Sequence, residues 1–134
     1  MISKELLSKV LENEVPYQVK VHKIIIKNNS LNYFYNSKDS GGGLFEANEY
    51  INIYELAHKC KEWALDNRWI ISTMPMLTEK KWRNTSVRLS HFYSAGKDRY
   101  LDGTYHNGRI EADTEIEAIF KACQWILDKD KDSK

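Results

Sequence analysis

One segment of the chain repeats its apolar residues with the period of an α-helix, and this repeat limits the fold more than any other feature of the sequence. The apolar positions in residues 51–67 are Ile53, Leu56, Ala57, Cys60, Trp63 and Ala64. Residues at this spacing lie along one side of a helix. Asn52 precedes the repeat and Glu55 follows three residues later, which is the spacing of a capping box. The segment therefore predicts an amphipathic helix that buries one side.

Two further segments have the same period. Residues 3–13 place Leu6, Leu7, Val10 and Leu11 on one side, with Ser3 as the N-cap. A third helix is predicted to begin at Thr114. Glu117 follows three residues later, which is again the spacing of a capping box. Its predicted buried stripe comprises Ile116, Ile119, Phe120, Cys123, Ile126 and Leu127.

Strand patterns occur between these helices. Val19 and Val21 alternate with polar residues, which indicates a half-buried strand, and the turn sequence KNNS joins it to an aromatic strand at residues 31–35. Residues 69–73 and 86–93 predict a third and a fourth strand. The polar, glycine-rich residues 36–50 predict a long loop.

These elements define an α+β fold, in which an antiparallel sheet of about four strands packs with three helices in the order α-β-β-α-β-β-α, as a layered sandwich. A chain of 134 residues is long enough for one core, so we expect a single domain over residues 1–128. Residues 129–134 contain no apolar side chain and predict a disordered polar tail.

The pair His58 and Cys60 raises the question of a metal site or a reactive thiol. Residues two apart on a helix are about 200° apart around its axis, so the two side chains cannot share a metal ion. Cys60 and Cys123 each fall on an apolar stripe, where a cysteine behaves as a small hydrophobic residue. We therefore predict two core thiols, an exposed His58, no metal site and no cofactor.

Residues 40–45, SGGGLF, invite comparison with a phosphate-binding loop. No Gly-Lys-Ser or Gly-Lys-Thr follows the glycines, and the next predicted helix begins some ten residues later. A flexible loop is the simpler interpretation, and the binding of a small anionic ligand such as a nucleotide remains the alternative.

The sequence contains none of the local motifs that mark common hydrolases or metalloenzymes, so we expect no catalytic residues and no enzymatic activity. No apolar run approaches the roughly 18 residues of a membrane span, and the N-terminal segment lacks the features of a signal peptide. We therefore expect a cytoplasmic protein without a membrane partner.

One segment combines cations with an indole. Its candidate partner-binding residues are Lys80, Lys81, Trp82, Arg83 and Arg88. Lysine and arginine can bind phosphates and an exposed indole can stack on a base, as in proteins that bind single-stranded nucleic acid. The simpler interpretation is a solvated basic turn whose Trp82 packs on the sheet, because a formal net charge of +1 supplies no strong overall field.

Residues 51–72 and 111–129, together with the N-terminal ISKELLSKVL, resemble small phage and prophage hypothetical proteins of the phage ABA sandwich type. The resemblance implies a layered sandwich and a phage or prophage origin, in a bacterial host cell. It carries over no catalytic or ligand residue, because the matched positions are core apolar residues and helix caps. Together with the missing catalytic motifs it suggests an accessory protein that acts by binding, such as an inhibitor of a host or bacterial defence protein, comparable to anti-CRISPR proteins.

Overall fold

The described residues form three helices and six strands in the order α-β-β-β-α-β-β-β-α. The computed structural model describes residues 2–13, 18–38, 43–76, 80–88 and 110–132, with side chains except at 84–88, 110 and 130–132. The helices are α1 (Lys4–Glu12), α2 (Ile53–Asp66) and α3 (Glu115–Asp132). The strands are β1 (Gln18–Lys27), β2 (Ser30–Lys38), β3 (Leu44–Asn52), β4 (Trp69–Met76), β5 (Lys81–Arg88) and β6 (Ile110–Ala112).

The described residues belong to two compact units. The N-terminal unit spans residues 2–59 and contains α1 and the antiparallel sheet β1-β2-β3. The C-terminal unit begins at Cys60 and contains α3 and the antiparallel sheet β4-β5-β6. Helix α2 contributes residues to both units.

A two-residue turn joins the first two strands of the N-terminal sheet. Asn28 and Asn29 have φ of 50° and 62°, and asparagine tolerates this left-handed region better than most residues do. The turn pairs Lys27 with Ser30 and sets the register along β1 and β2, with one bulge between Val21 and Lys23. The KNNS hairpin that the sequence predicts is therefore present.

Helix α1 lies beside β1. Ser3 caps the helix by accepting a hydrogen bond of 3.1 Å from the Leu6 amide. The four apolar residues of its predicted stripe are all buried: Leu6, Leu7, Val10 and Leu11. Two strand amides donate to side chains of α1, Val21 to Ser8 Oγ at 2.8 Å and Val19 to Glu12 Oε1 at 3.2 Å. The helix therefore supplies acceptors to one edge of the sheet.

In the C-terminal unit, α3 contacts all three strands of the second sheet. Trp69 on β4 meets Trp125 on α3 edge to face, with ring centroids 5.3 Å apart, and Thr73 Oγ1 donates to Glu115 Oε1 at 2.7 Å. Because side chains alternate across a strand, the odd-numbered residues of β4 face α3. The predicted stripe of α3 is buried at all six positions: Ile116, Ile119, Phe120, Cys123, Ile126 and Leu127.

The α+β class and the three predicted helices are confirmed, and the buried stripe of α2 is also confirmed at all six positions. The predicted element order and sheet differ from the structure. Residues 44–52 form β3, where the sequence predicted a loop, and the strands belong to two three-stranded sheets instead of one sheet of about four strands. A loop was predicted because β3 buries only Ile51 and so lacks the alternation that burial of one face imposes on a sequence.

Two boundaries also differ. Strand β5 occupies residues 81–88, earlier than the predicted 86–93, and residues 89–93 lie outside the described part of the chain. Helix α3 runs as far as Asp132 and so overlaps the predicted disordered tail of residues 129–134. In the described ranges no helix combines the length and the apolar character needed to cross a membrane.

Candidate functional site

The N-terminal sheet has one covered face and one exposed face. Val19 and Val21 of β1, Leu31 and Tyr33 of β2 and Ile51 of β3 point to the covered face and are buried. The opposite face, here called the open face, has no buried side chain. It comprises Lys20, Lys23, Ile25 and Lys27 of β1, Asn32, Phe34, Asn36 and Lys38 of β2, and Leu44, Glu46, Asn48 and Tyr50 of β3.

An aromatic ring lies at the centre of the open face. Phe34 is on the middle strand, directly between Lys23 of β1 and Asn48 of β3. The Lys23 ammonium lies 5.4 Å from the centre of the Phe34 ring, within cation–π range. The His22 ring, at the bulge of β1, has its centroid 6.5 Å from that of Phe34. The bulge thus brings a second ring beside Phe34.

An exposed aromatic residue lies on the neighbouring strand. Tyr50 of β3 pairs with Asn32, so it is the diagonal neighbour of Phe34 across the sheet. It is 75% exposed, which is unusual for a tyrosine on a strand of a folded sheet. The half-buried Phe34 and the exposed Tyr50 therefore lie close together on one surface.

The open face carries a local positive charge that the net charge of the chain conceals. It carries four lysines and one carboxylate, namely Lys20, Lys23, Lys27, Lys38 and Glu46, and all five side chains are exposed. A surface with this balance attracts anions, and its lysines lie beside the aromatic rings.

A polar cluster occupies the other face. The phenols of Tyr33 and Tyr35 donate hydrogen bonds to the two carboxylate oxygens of Glu49, at 3.2 and 3.1 Å. Burial raises the pKa of Tyr35, and its hydrogen bond to Glu49 and the charge of that carboxylate add to the rise. Tyr35 therefore stays protonated at neutral pH and holds the carboxylate in position.

The basic segment at residues 80–88 does not form one surface, because β5 directs neighbouring side chains to opposite sides of the sheet. Trp82 is opposite Pro75 and Ala112, on the side of the sheet that faces α3, and is half-buried. Lys81 is the preceding residue on β5 and therefore points to the opposite side. The indole and this cation do not share a surface.

The remaining residues of that segment have separate surroundings. Lys80 is exposed and has φ of 54°, and its amide donates to the Met76 carbonyl in the turn before β5. Arg83 Nη2 lies 3.7 Å from Glu111 Oε1, so an acid on β6 offsets this cation. The Arg88 side chain lies outside the described part of the structure.

His58 and Cys60 lie on different sides of α2, as the helical spacing predicts. Cys60 and Trp63 are buried, whereas His58 is exposed. The Cys123 thiol donates to the Cys60 carbonyl oxygen at 3.4 Å. A hydrogen bond with Cys123, followed by burial, raises the pKa of Cys60 well above its ordinary value, which suppresses its thiolate.

No group of three or more His, Cys, Asp or Glu side chains in the described ranges could hold a metal ion. Within the glycine-rich segment 40–45, residues 40–42 lie outside the described part of the chain. Leu44 and Phe45 open β3 and are exposed.

Sequence reasoning missed the open face because the face is assembled from three strands, one of which was predicted as a loop. Lys20 and His22 were visible as the polar partners of a half-buried strand. The available signal was Phe34, a large apolar residue on the polar side of the second strand, since such residues are normally buried.

Comparison with known proteins gives no relative to set beside this geometry: no family model, no curated protein and no solved structure matches the chain significantly.

Proposed function

We propose that the chain binds single-stranded nucleic acid on the open face of its N-terminal sheet. The observation that carries this proposal is the ring of Phe34 at the centre of that face, with the Lys23 ammonium 5.4 Å from the ring centre. Three further lysines and the exposed Tyr50 surround this pair.

Two contributions to binding follow from this arrangement. The lysines pair with phosphates and release counterions from the strand, which supplies affinity without sequence preference. Phe34 and Tyr50 offer flat faces for stacking, and each stacked base contributes about 1–3 kcal/mol. Lys20 and Lys27 are seven residues apart on β1, or roughly 23 Å at the usual rise of a strand, which is enough for several nucleotides.

The same arrangement favours single strands over duplexes. In a duplex the bases stack on one another, so their flat surfaces are unavailable to Phe34 and Tyr50. An unpaired strand can turn its bases toward the sheet while its phosphates remain near the lysines. We therefore expect a blunt duplex to bind through charge alone and more weakly.

The proposal keeps the class of ligand that the segment at residues 80–88 suggested and assigns it to a different surface. Trp82 lies on the side facing α3, opposite to Lys81, and Arg83 has an acid beside it, so that segment does not present its ring and its cations on one surface. Phe34 and Tyr50 lie on the same face as their lysines.

Fluorescence anisotropy with a labelled single-stranded oligonucleotide tests the proposal. The logarithm of the association constant should fall linearly with the logarithm of salt concentration, with a slope of about −3, because each of four lysine contacts contributes about −0.7. Tyr50→Ala should weaken binding by about 1–3 kcal/mol while leaving the melting temperature nearly unchanged, since the side chain is 75% exposed. Absence of binding to both DNA and RNA at low salt contradicts the proposal.

A second candidate is the binding of a host or bacterial defence protein by a phage or prophage accessory protein in the bacterial cytoplasm. It derives from the resemblance to the phage ABA sandwich type, with its layered arrangement. The observation that favours it is the exposure of Phe45 at the start of β3, at 51%, on the side of the sheet opposite to the open face. Exposed apolar and aromatic residues of this kind are common at protein interfaces.

Affinity capture from infected host cells tests this second candidate. A specific protein should be recovered by the wild-type chain and lost with Phe45→Ser, whereas Leu65→Ser, on an exposed position of α2, should retain it. Recovery of the same proteins by the wild-type chain and by Phe45→Ser counts against a protein partner at this surface.

A further inference from the structure

The two edges of the N-terminal sheet are protected very differently. At the β1 edge, Val19 and Val21 donate their amides to Glu12 and Ser8 of α1. The same strand contains three lysines and a bulge, two features that discourage pairing with another strand. The first half of the β1 edge is therefore occupied by α1, and the lysines and the bulge discourage pairing along the rest.

The β3 edge has none of these features. Strand β3 runs for nine residues without lysine or proline, and its register with β2 is regular throughout. Seven of its nine side chains are exposed, and within the described ranges it pairs with β2 alone. Long exposed edges of this kind pair readily with a further strand.

The backbone groups that point outward from β3 can be identified. The Ile53 amide donates to the Asn29 carbonyl oxygen at 3.0 Å, directly after the last pair of the β2–β3 ladder. In an antiparallel ladder, alternate residues direct both backbone groups to the same neighbour. Odd-numbered residues of β3 therefore bond to β2, and even-numbered residues such as Asn48 direct their N–H and C=O groups to the outer edge.

We propose that the β3 strands of two copies of this chain pair antiparallel about a two-fold axis through Asn48, joining two sheets into one of six strands. This register opposes even-numbered residues to even-numbered residues, as outward-pointing backbone groups require. It places Glu46 opposite Tyr50 of the second copy and Phe45 opposite Ile51 of the second copy. No like charges are directly opposed.

Two of the neighbouring two-fold registers bring like charges together. An axis through Ala47 remains free of opposed charges but leaves more of the strand unpaired. Axes through Glu46 or Glu49 place two carboxylates directly opposite, which is unfavourable. The central register pairs all nine residues of β3 with their symmetry mates. In this register outward-pointing backbone groups meet and no carboxylates are opposed, which is what a two-fold interface needs and favours a second copy as the occupant.

This inference is independent of the proposed function, but it would extend the open face. A two-fold axis perpendicular to the sheet puts both open faces on the same side. The lysines and rings of the two copies would then form one continuous surface.

Sedimentation velocity without nucleic acid, over a concentration series up to about 1 mM, tests the pairing. We expect a reversible monomer–dimer equilibrium. Asn48→Pro should raise the dissociation constant at least about tenfold, because proline removes the donors of both hydrogen bonds at the axis. Pairing with β2 should persist, since the Asn48 amide points away from it, and circular dichroism checks this. A monomer at every concentration, or a folded Asn48→Pro variant that dimerises as the wild type does, overturns the inference.

Cross-linking decides the question even where the proline variant fails to fold. At the proposed axis the two Cα atoms of residue 48 are about 5.5 Å apart, within the range that a disulfide spans. Asn48→Cys should therefore form a disulfide-linked dimer rapidly when treated with diamide. Asn13→Cys, an exposed position outside the sheet, is the matched control. Equal cross-linking of the two variants overturns the proposed register.

Discussion

Single residues of α2 differ in chemistry according to the side of the helix on which they lie. Cys60 is fully buried, and its raised pKa keeps the thiol protonated, while His58 two residues earlier is exposed. The spacing alone was sufficient to predict this difference, because a rotation of about 200° separates the two side chains. Packing accounts for the buried side chains of this segment.

Trp63→Ala should destabilise the fold by about 3–5 kcal/mol, because removal of a buried indole leaves a cavity that the surroundings fill only in part. This loss is a large fraction of the stability of an ordinary domain. His58→Ala, the control on the exposed side of the same helix, should change stability by no more than about 0.5 kcal/mol. Urea denaturation measures both. A comparable loss in the two variants contradicts the assignment.

The pKa of Cys60 makes a prediction about alkaline pH. Its pKa is higher in the folded chain than its ordinary value of 9.0, so the folded state holds the proton more tightly. The resulting stabilisation is complete below the unfolded value and is lost as pH rises through the folded one. The unfolding free energy should therefore decline above about pH 9, with a smaller decline in Cys60→Ala. Equal slopes in wild type and Cys60→Ala would show that this thiol does not contribute.

Helices of this chain were predictable because each buries one stripe, and the stripe imposes its period on the sequence. Strand β3 was not predictable in this way. Phe45 and Glu49 alternate with Glu46 and Tyr50, so neither face is consistently apolar, and only Ile51 is buried. An edge strand that is exposed along most of its length on both faces leaves no period in the sequence, and pairing with β2, which is a tertiary interaction, determines its conformation.

Helix caps offer a test at the level of elements. Thr114 Oγ1 accepts a hydrogen bond from the Glu117 amide at 3.2 Å, as the capping-box spacing predicted. Thr114→Ala should lower the stability of the fold by about 1 kcal/mol, since an N-terminal amide of α3 loses its acceptor. Thr114→Ser keeps the hydroxyl and should retain most of that stability. The midpoint of urea unfolding distinguishes the two, and equal losses would mean that the hydroxyl does not cap the helix.

Across the molecule, the two sheets present different chemistry to solvent. The N-terminal sheet has rings and lysines together on its open face, whereas the C-terminal sheet separates Trp82 from Lys81 and pairs Arg83 with Glu111. The sequence suggested a different grouping, at residues 80–88, for a physical reason. Residues adjacent along a strand point to opposite faces, whereas the residues that share the open face come from three strands, brought together only by pairing.

Paired lysine substitutions test the central claim, that the open face is the binding surface, most directly. Lys20→Gln combined with Lys23→Gln alters the open face, and Lys80→Gln combined with Lys81→Gln is the matched control on the second sheet; each removes two exposed cations. In anisotropy titrations with a single-stranded oligonucleotide at about 0.1 M salt, the first pair should weaken binding at least about tenfold and reduce the magnitude of the salt slope by about 1.4. The second pair should leave both nearly unchanged. Equal losses in the two double variants, or a loss confined to the Lys80 and Lys81 pair, would contradict the assignment of binding to the open face.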